Sequence, residues 1–206
     1  MAKIKYIAVA GNIGCGKSTL VEFLRRRYKL RPFFEPNADN PYLKDFYQDM
    51  RGYAFQSQIY FLAHKFRMQQ ALEKRSRRVT VVQDRTIYED AEVFAAYLHR
   101  RRCITKRDWG VYQALYASIL ESLRPPDLLI YLRADVRTLR RRIKKRGRPE
   151  EQDIPATYIR RLNDLYEEWF ASYDRSRTLV IETGRMNYLE DLEHLIELKT
   201  EIAKFI

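Results

Sequence analysis

The residues Gly11-Asn12-Ile13-Gly14-Cys15-Gly16-Lys17-Ser18, followed by Thr19, fit the pattern G-x-x-x-x-G-K-[ST], whose residue types suit the binding of a phosphate chain. Glycines let the chain turn sharply and bring successive backbone N–H groups against phosphate oxygens, and the helix that follows adds its positive N-terminal end. Lys17 is expected to reach the terminal phosphates and the Ser18 hydroxyl to sit on Mg²⁺. Two carboxylates complete the chemical set. Glu35, before Pro36, closes an apolar run, and Asp84 follows the β-branched run 79–83, where an acid organises Mg²⁺ and its water. Glu35 is the expected general base for a hydroxyl acceptor. The arginine-rich arm around Arg146-Gly147-Arg148 is too polar for a core and suits a lid that excludes water and neutralises developing charge.

These residues need a scaffold that brings them together. Runs at 4–10, 30–34, 79–83, 127–132 and 178–181 read as short apolar strands, and helical patterns at 20–28, 44–50, 52–75, 88–101, 107–123, 136–145, 158–173 and 188–205 alternate with them. Five strands alternating with helices predict an α/β fold, a doubly wound parallel sheet covered on both faces, with the site outside the strands' carboxyl ends. Gly14, Glu35 and Asp84 would converge there. On 52–75 the apolar positions Phe55, Ile59, Leu62, Phe66 and Leu72 stand near helical spacing.

A single domain is expected over residues 1–206, because no Pro/Gly/Ser-rich linker divides the chain. The hydrophobic content of 46% is ample for a core, and no apolar run is long enough to span a bilayer. The start runs directly into the first strand, so a cytoplasmic protein is expected. Cys15 and Cys103 form neither a disulfide framework nor a metal pattern, and the three histidines are scattered. A net charge of +12 suits a polyanionic partner, either nucleic acid or nucleotide phosphates alone.

Taken together, the phosphate loop with Thr19, Glu35-Pro36, Phe55-Gln56, Asp84-Arg85-Thr86 with Asp90, and the string from Arg146 through Glu150-Glu151-Gln152 to Ile154-Pro155 resemble the deoxyribonucleoside kinases. The bacterial deoxyadenosine/deoxyguanosine branch looks most similar. The resemblance implies a phosphate-loop NTPase-like sheet with an arginine lid, and transfer of the γ-phosphate of ATP, with Mg²⁺, to a sugar 5′-hydroxyl. It makes Glu35 the base and Arg85 the group that contacts the 5′ oxygen. Asp84 is the acid near the metal. Gln56 would read the nucleobase by its amide, Phe94 would stack on it, and Phe55 and Ile13 would line the same slot. Tyr47 and Glu151 would hold the 3′-hydroxyl, and Arg142, Arg146 and Arg148 would clasp the ATP phosphates.

Asp90 matches a position where purine- or cytosine-accepting members carry aspartate, so deoxyadenosine or deoxyguanosine is expected first, deoxycytidine next and thymidine last. The arginine that usually partners this aspartate aligns with Ala63; His64, Lys65 or water could fill its place. The resemblance also implies a dimer through helix packing, with an identical chain or a sister subunit.

Three rivals stand beside this reading. A thymidylate or other nucleoside monophosphate kinase would need basic residues where Glu35, Gln56, Tyr47 and the Glu150-Glu151 pair lie. A nucleic-acid-binding protein would need signatures that are missing here. A silent assembly subunit would not need Lys17, Ser18, Glu35 and Arg85 together. No membrane partner is expected.

Overall fold

A computed structural model of the chain describes residues 4–34, 40–152, 154–184 and 191–205. Five parallel strands form one sheet: β1 (Tyr6–Ala10), β2 (Arg31–Phe33), β3 (Val81–Asp84), β4 (Leu128–Arg133) and β5 (Arg177–Glu182), in the order β2-β3-β1-β4-β5. Every residue of β1 and β3 is buried, as are the first five of β4, because helices cover both faces of a parallel sheet. The edge strands β2 and β5 carry the exposed positions.

The register puts the site together. Val9 pairs with Asp84 across β1 and β3, so the phosphate loop leaves β1 beside the end of β3. Phe33 of β2 pairs with Gln83, which brings the end of β2 to the same rim. Asp84 is the last residue of its strand, one position further in than the run 79–83 predicts, and it thereby gains a ladder position.

The helices follow the sequence pattern, with informative offsets. Helix α1 (Lys17–Tyr28) begins inside the phosphate loop; α2 (Leu43–Gln48) and α3 (Met50–Ser76) follow β2. The expected helix 88–101 has three parts: α4 (Ile87–Glu89), a π-helical stretch (Asp90–Ala95) and α5 (Ala96–Arg100). Such stretches widen the helix and re-aim side chains, and here the widened part carries Asp90 and Phe94. Next come α6 (Lys106–Leu120), α7 (Val136–Arg146), a 3-10 turn (Pro149–Glu151), α8 (Ala156–Ala171) and α9 (Leu192–Ala203). Residues 188–190 of the expected last helix lie outside the described residues. Among the described residues no helix is long and apolar enough to cross a membrane.

Helix α3 corrects the sequence reading most. Its buried stripe is Ala54, Gln58, Leu62, Lys65, Gln69, Leu72 and Ser76, spaced three and four apart as one helix face must be. Phe55, Ile59 and Phe66 are only half-buried beside it.

Candidate functional site

The donor half is built mostly of backbone. Gly11 has φ 141°, and a Cβ there would meet the Leu132 carbonyl at 2.6 Å and the Cys15 Sγ at 2.8 Å, so only glycine fits. Gly14 and Gly16 also have positive φ, and Gly16 caps α1. The Lys17 ammonium donates to the carbonyls of Gly11 at 2.9 Å and Asn12 at 3.1 Å. Asn12 donates from its side chain to Ile159 O and to Asn163 Oδ1 on α8, and its Oδ1 accepts from Ile13 N–H. Cys15 is buried; burial pushes its thiol pKa up, with the Lys17 charge pulling the other way. Thr19 sits half-buried on α1.

Asp84 and Ser18 meet at the loop's mouth, where the Ser18 hydroxyl donates to Asp84 Oδ2 at 2.5 Å. The other oxygen, Asp84 Oδ1, is buried with no hydrogen-bond partner among the described residues. Arg85 follows with φ 62°, a strained left-handed conformation for a residue with a side chain. Its N–H donates to Val9 O at 3.0 Å, and Lys65 donates to its carbonyl at 2.9 Å. The guanidinium lies 4.5 Å from the Phe94 ring centre and donates to the Tyr166 hydroxyl at 2.6 Å. Burial pushes the Tyr166 pKa well up, so the phenol stays protonated.

A cleft of about 820 Å³, counted out to its open mouth, joins this donor half to a second chamber. Ile13, Gly14, Lys17, Ser18, Asp84 and Arg85 line one end. The other end is lined by Phe46, Tyr47, Gln58, Phe61, Asp90, Phe94 and Tyr158, and Arg146, Arg148 and Glu151 complete the lining of the cleft. Glu151 is buried and ion-paired with both arginines, to Arg148 at 3.4 Å and more closely to Arg146.

Beyond the phosphate loop, most of the expected site residues that the structure describes line this cleft, and three do not. Gln56 lies on the exposed face of α3, and Phe55 packs against the core away from the cleft. Gln58 and Phe61 line the cleft in their place; Gln58 is two residues on from Gln56, which turns a helical side chain through about 200°. Arg142 does not line the cleft either. It donates to Cys15 O at 3.2 Å and to Thr183 O at 2.6 Å, and so braces the back of the phosphate loop. Glu35 lies outside the described residues.

The shift from Gln56 to Gln58 also removes the oddity at Ala63, which is exposed. Lys65, seven residues beyond Gln58, is 1% exposed and its ammonium stands 4.0 Å from Asp90 Oδ2. Gln58 Oε1 is buried without a hydrogen-bond partner among the described residues, as expected of an acceptor awaiting a ligand. Sequence reasoning missed Gln58, Phe61, Tyr158, Tyr166 and Glu89. For Glu89 a signal existed: Thr86-x-x-Glu89 is a capping box, and both of its reciprocal bonds form.

The model of the family described as deoxynucleoside kinase matches residues 7–206. The chain belongs to the deoxynucleoside kinase family. It is an ATP-dependent kinase of deoxynucleosides. The deoxyadenosine kinase of Dictyostelium discoideum is 36% identical over 98% of this chain and 81% of that protein. The deoxyadenosine/deoxycytidine kinase of Bacillus subtilis (strain 168) is 34% identical over 99% of this chain and 94% of that one. Among solved structures, deoxyadenosine kinase from M. mycoides with bound dATP superposes with a TM-score of 0.81 at 31% identity, over 97% of this chain and 99% of that chain.

Proposed function

We propose that the acceptor is the 5′-hydroxyl of a deoxynucleoside seated in the chamber, with a purine base, and adenine in particular, taken best. The observation that carries this is Gln58, whose buried Oε1 has no hydrogen-bond partner among the described residues, lining one cleft with Phe94 and Phe61. The amide offers an acceptor and a donor side by side, the complement of a base edge that carries an exocyclic amine next to a ring nitrogen acceptor, as adenine's does. The Asp90 and Lys65 pair adds a carboxylate and an ammonium beside the amide.

The roles follow from reach. N–H groups of 11–18, Lys17, Arg146 and Arg148 bind the ATP phosphates, while Arg142 holds the loop from behind. Arg85 faces the charge that develops between donor and acceptor, and Glu35 takes the 5′ proton. Tyr47 and Glu151 hold the 3′-hydroxyl, and Ile13 edges the pocket. Glu151 also pairs with the lid arginines, so sugar and lid share one carboxylate.

The free Asp84 Oδ1 beside the Ser18 hydroxyl is a hard oxygen set that fits Mg²⁺, which keeps several waters and takes few protein ligands. Asp84 and Ser18 would hold it, and it would neutralise phosphate charge. ATP and Mg²⁺ as reactants support a cytoplasmic site of action. Val111 and Leu115, 56% and 41% exposed one helical turn apart on α6, support a dimer through α3 and α6. The partner would be an identical chain or a sister subunit.

The test is a panel of deoxynucleosides and their monophosphates with ATP and Mg²⁺, on the wild type and on Glu35→Gln. Deoxyadenosine should be phosphorylated fastest, and the variant should lose about 10²- to 10⁴-fold in kcat. Faster transfer to monophosphates, or a variant with the full rate, would overturn the reading.

A further inference from the structure

Glu89 takes no part in lining the cleft, yet it is fully buried and its carboxylate accepts four hydrogen bonds. Oε2 accepts from the Thr86 N–H at 2.8 Å and its hydroxyl at 3.0 Å. Those bonds serve as a helix cap and would be enough for one. Oε1 does something else. It accepts at 3.0 Å from the N–H of Gly11, the first residue of the phosphate loop, and at 3.0 Å from the Tyr166 hydroxyl on α8.

That hydroxyl in turn accepts from Arg85 Nη1 at 2.6 Å. Because Glu89 accepts the phenol's only proton, the oxygen lone pairs are left to face Arg85. One carboxylate thus ties the loop that would hold the donor phosphates to the arginine at the transfer point. A buried carboxylate persists only where donors satisfy it, and these donors come from three separate segments.

Resting on the proposed role of Arg85, we propose that Glu89 and Tyr166 are positioning residues. They form a brace that sets the spacing of Arg85 from the phosphate loop, and they act on turnover without touching either substrate. A glutamine at 89 has one acceptor oxygen, so two of the four donors would face its amide NH₂. Phenylalanine at 166 keeps the ring contacts with Tyr131 at 6.2 Å, Trp169 at 6.1 Å and Phe94 at 6.2 Å, and removes only the hydroxyl that links Glu89 to Arg85.

The experiment measures kcat, the KM values for ATP and nucleoside, and the thermal midpoint for Tyr166→Phe, Glu89→Gln and the double variant. The nucleoside is whichever the wild type turns over fastest. Tyr166→Phe should lose about tenfold in kcat with both KM values within about twofold, and Glu89→Gln about a hundredfold. The double variant should be no slower than Glu89→Gln alone, because both substitutions break one link.

A Tyr166→Phe enzyme with wild-type kcat, whatever its thermal midpoint, would reduce the pair to packing and overturn the brace. Losses that multiply in the double variant would do the same. If Glu89→Gln does not fold, Tyr166→Phe decides alone. The wild-type rate on the substrate panel reports on the proposed function, and the ratio of variant to wild type reports on the brace.

Discussion

Under the proposed roles, the two ends of the cleft recognise by different means. At the donor end the proposed partners of a phosphate are backbone groups of one continuous segment, residues 11–18, already tied down by Lys17, by the bonds of the Asn12 side chain to α8 and by Arg142 from behind. At the acceptor end they are side chains from four separate elements: Tyr47 on α2, Gln58 and Phe61 on α3, Asp90 and Phe94 in the π-helical stretch, and Tyr158 on α8. A backbone cradle accepts any nucleoside triphosphate of the right charge. A side-chain chamber can be retuned one residue at a time, so substrate choice belongs to the acceptor end.

Substitutions at the two ends should therefore fail differently, and the largest failure belongs to the donor end. Gly11→Ala puts a methyl group 2.6 Å from a backbone carbonyl at a backbone angle disfavoured for alanine. It should cost about 3 kcal/mol or more and remove ATP binding, read by thermal denaturation and by nucleotide titration. Wild-type ATP binding in this variant would break the claim that only glycine fits at position 11.

Lys65→Met strikes the acceptor end from behind. It leaves Asp90 buried without its ammonium and frees the carbonyl of the strained Arg85. Roughly 3 kcal/mol of stability should be lost, with a rise in the nucleoside KM that exceeds any rise in the ATP KM. Equal rises would blur the separation of the two ends. The smallest effect is expected at Gln56, exposed on α3, where alanine should change activity less than twofold and stability by under about 0.5 kcal/mol.

The same contrast explains what the sequence made legible. The phosphate loop is contiguous, and the five strands and their order along the chain follow from short apolar runs, because a buried parallel strand needs apolar side chains on both faces. Asp84 and Arg85 were readable as the residues where β3 ends and the chain leaves it. The acceptor chamber was harder. On α3 the inward stripe includes Gln58, Lys65 and Gln69, polar residues where a core helix would have apolar ones, while Phe55 and Ile59 sit at its flank. Hydrophobic periodicity then picks the wrong phase, and the dipeptide Phe55-Gln56 anchored the assignment two residues early. A site interrupts the pattern from which helix phase is read. Glu89 shows the converse, since its capping box was legible in the sequence but its bonds to Gly11 and Tyr166 depend on tertiary contacts.

The most direct measurement compares Gln58→Ala with Gln56→Ala in steady-state kinetics on deoxyadenosine and ATP. Gln58→Ala should lower kcat/KM for deoxyadenosine by about 10²-fold, with the ATP KM within about twofold of wild type, while Gln56→Ala should match wild type in both. A Gln58→Ala enzyme that keeps its deoxyadenosine kcat/KM, or a Gln56→Ala enzyme that loses it, would contradict the assignment of the acceptor chamber.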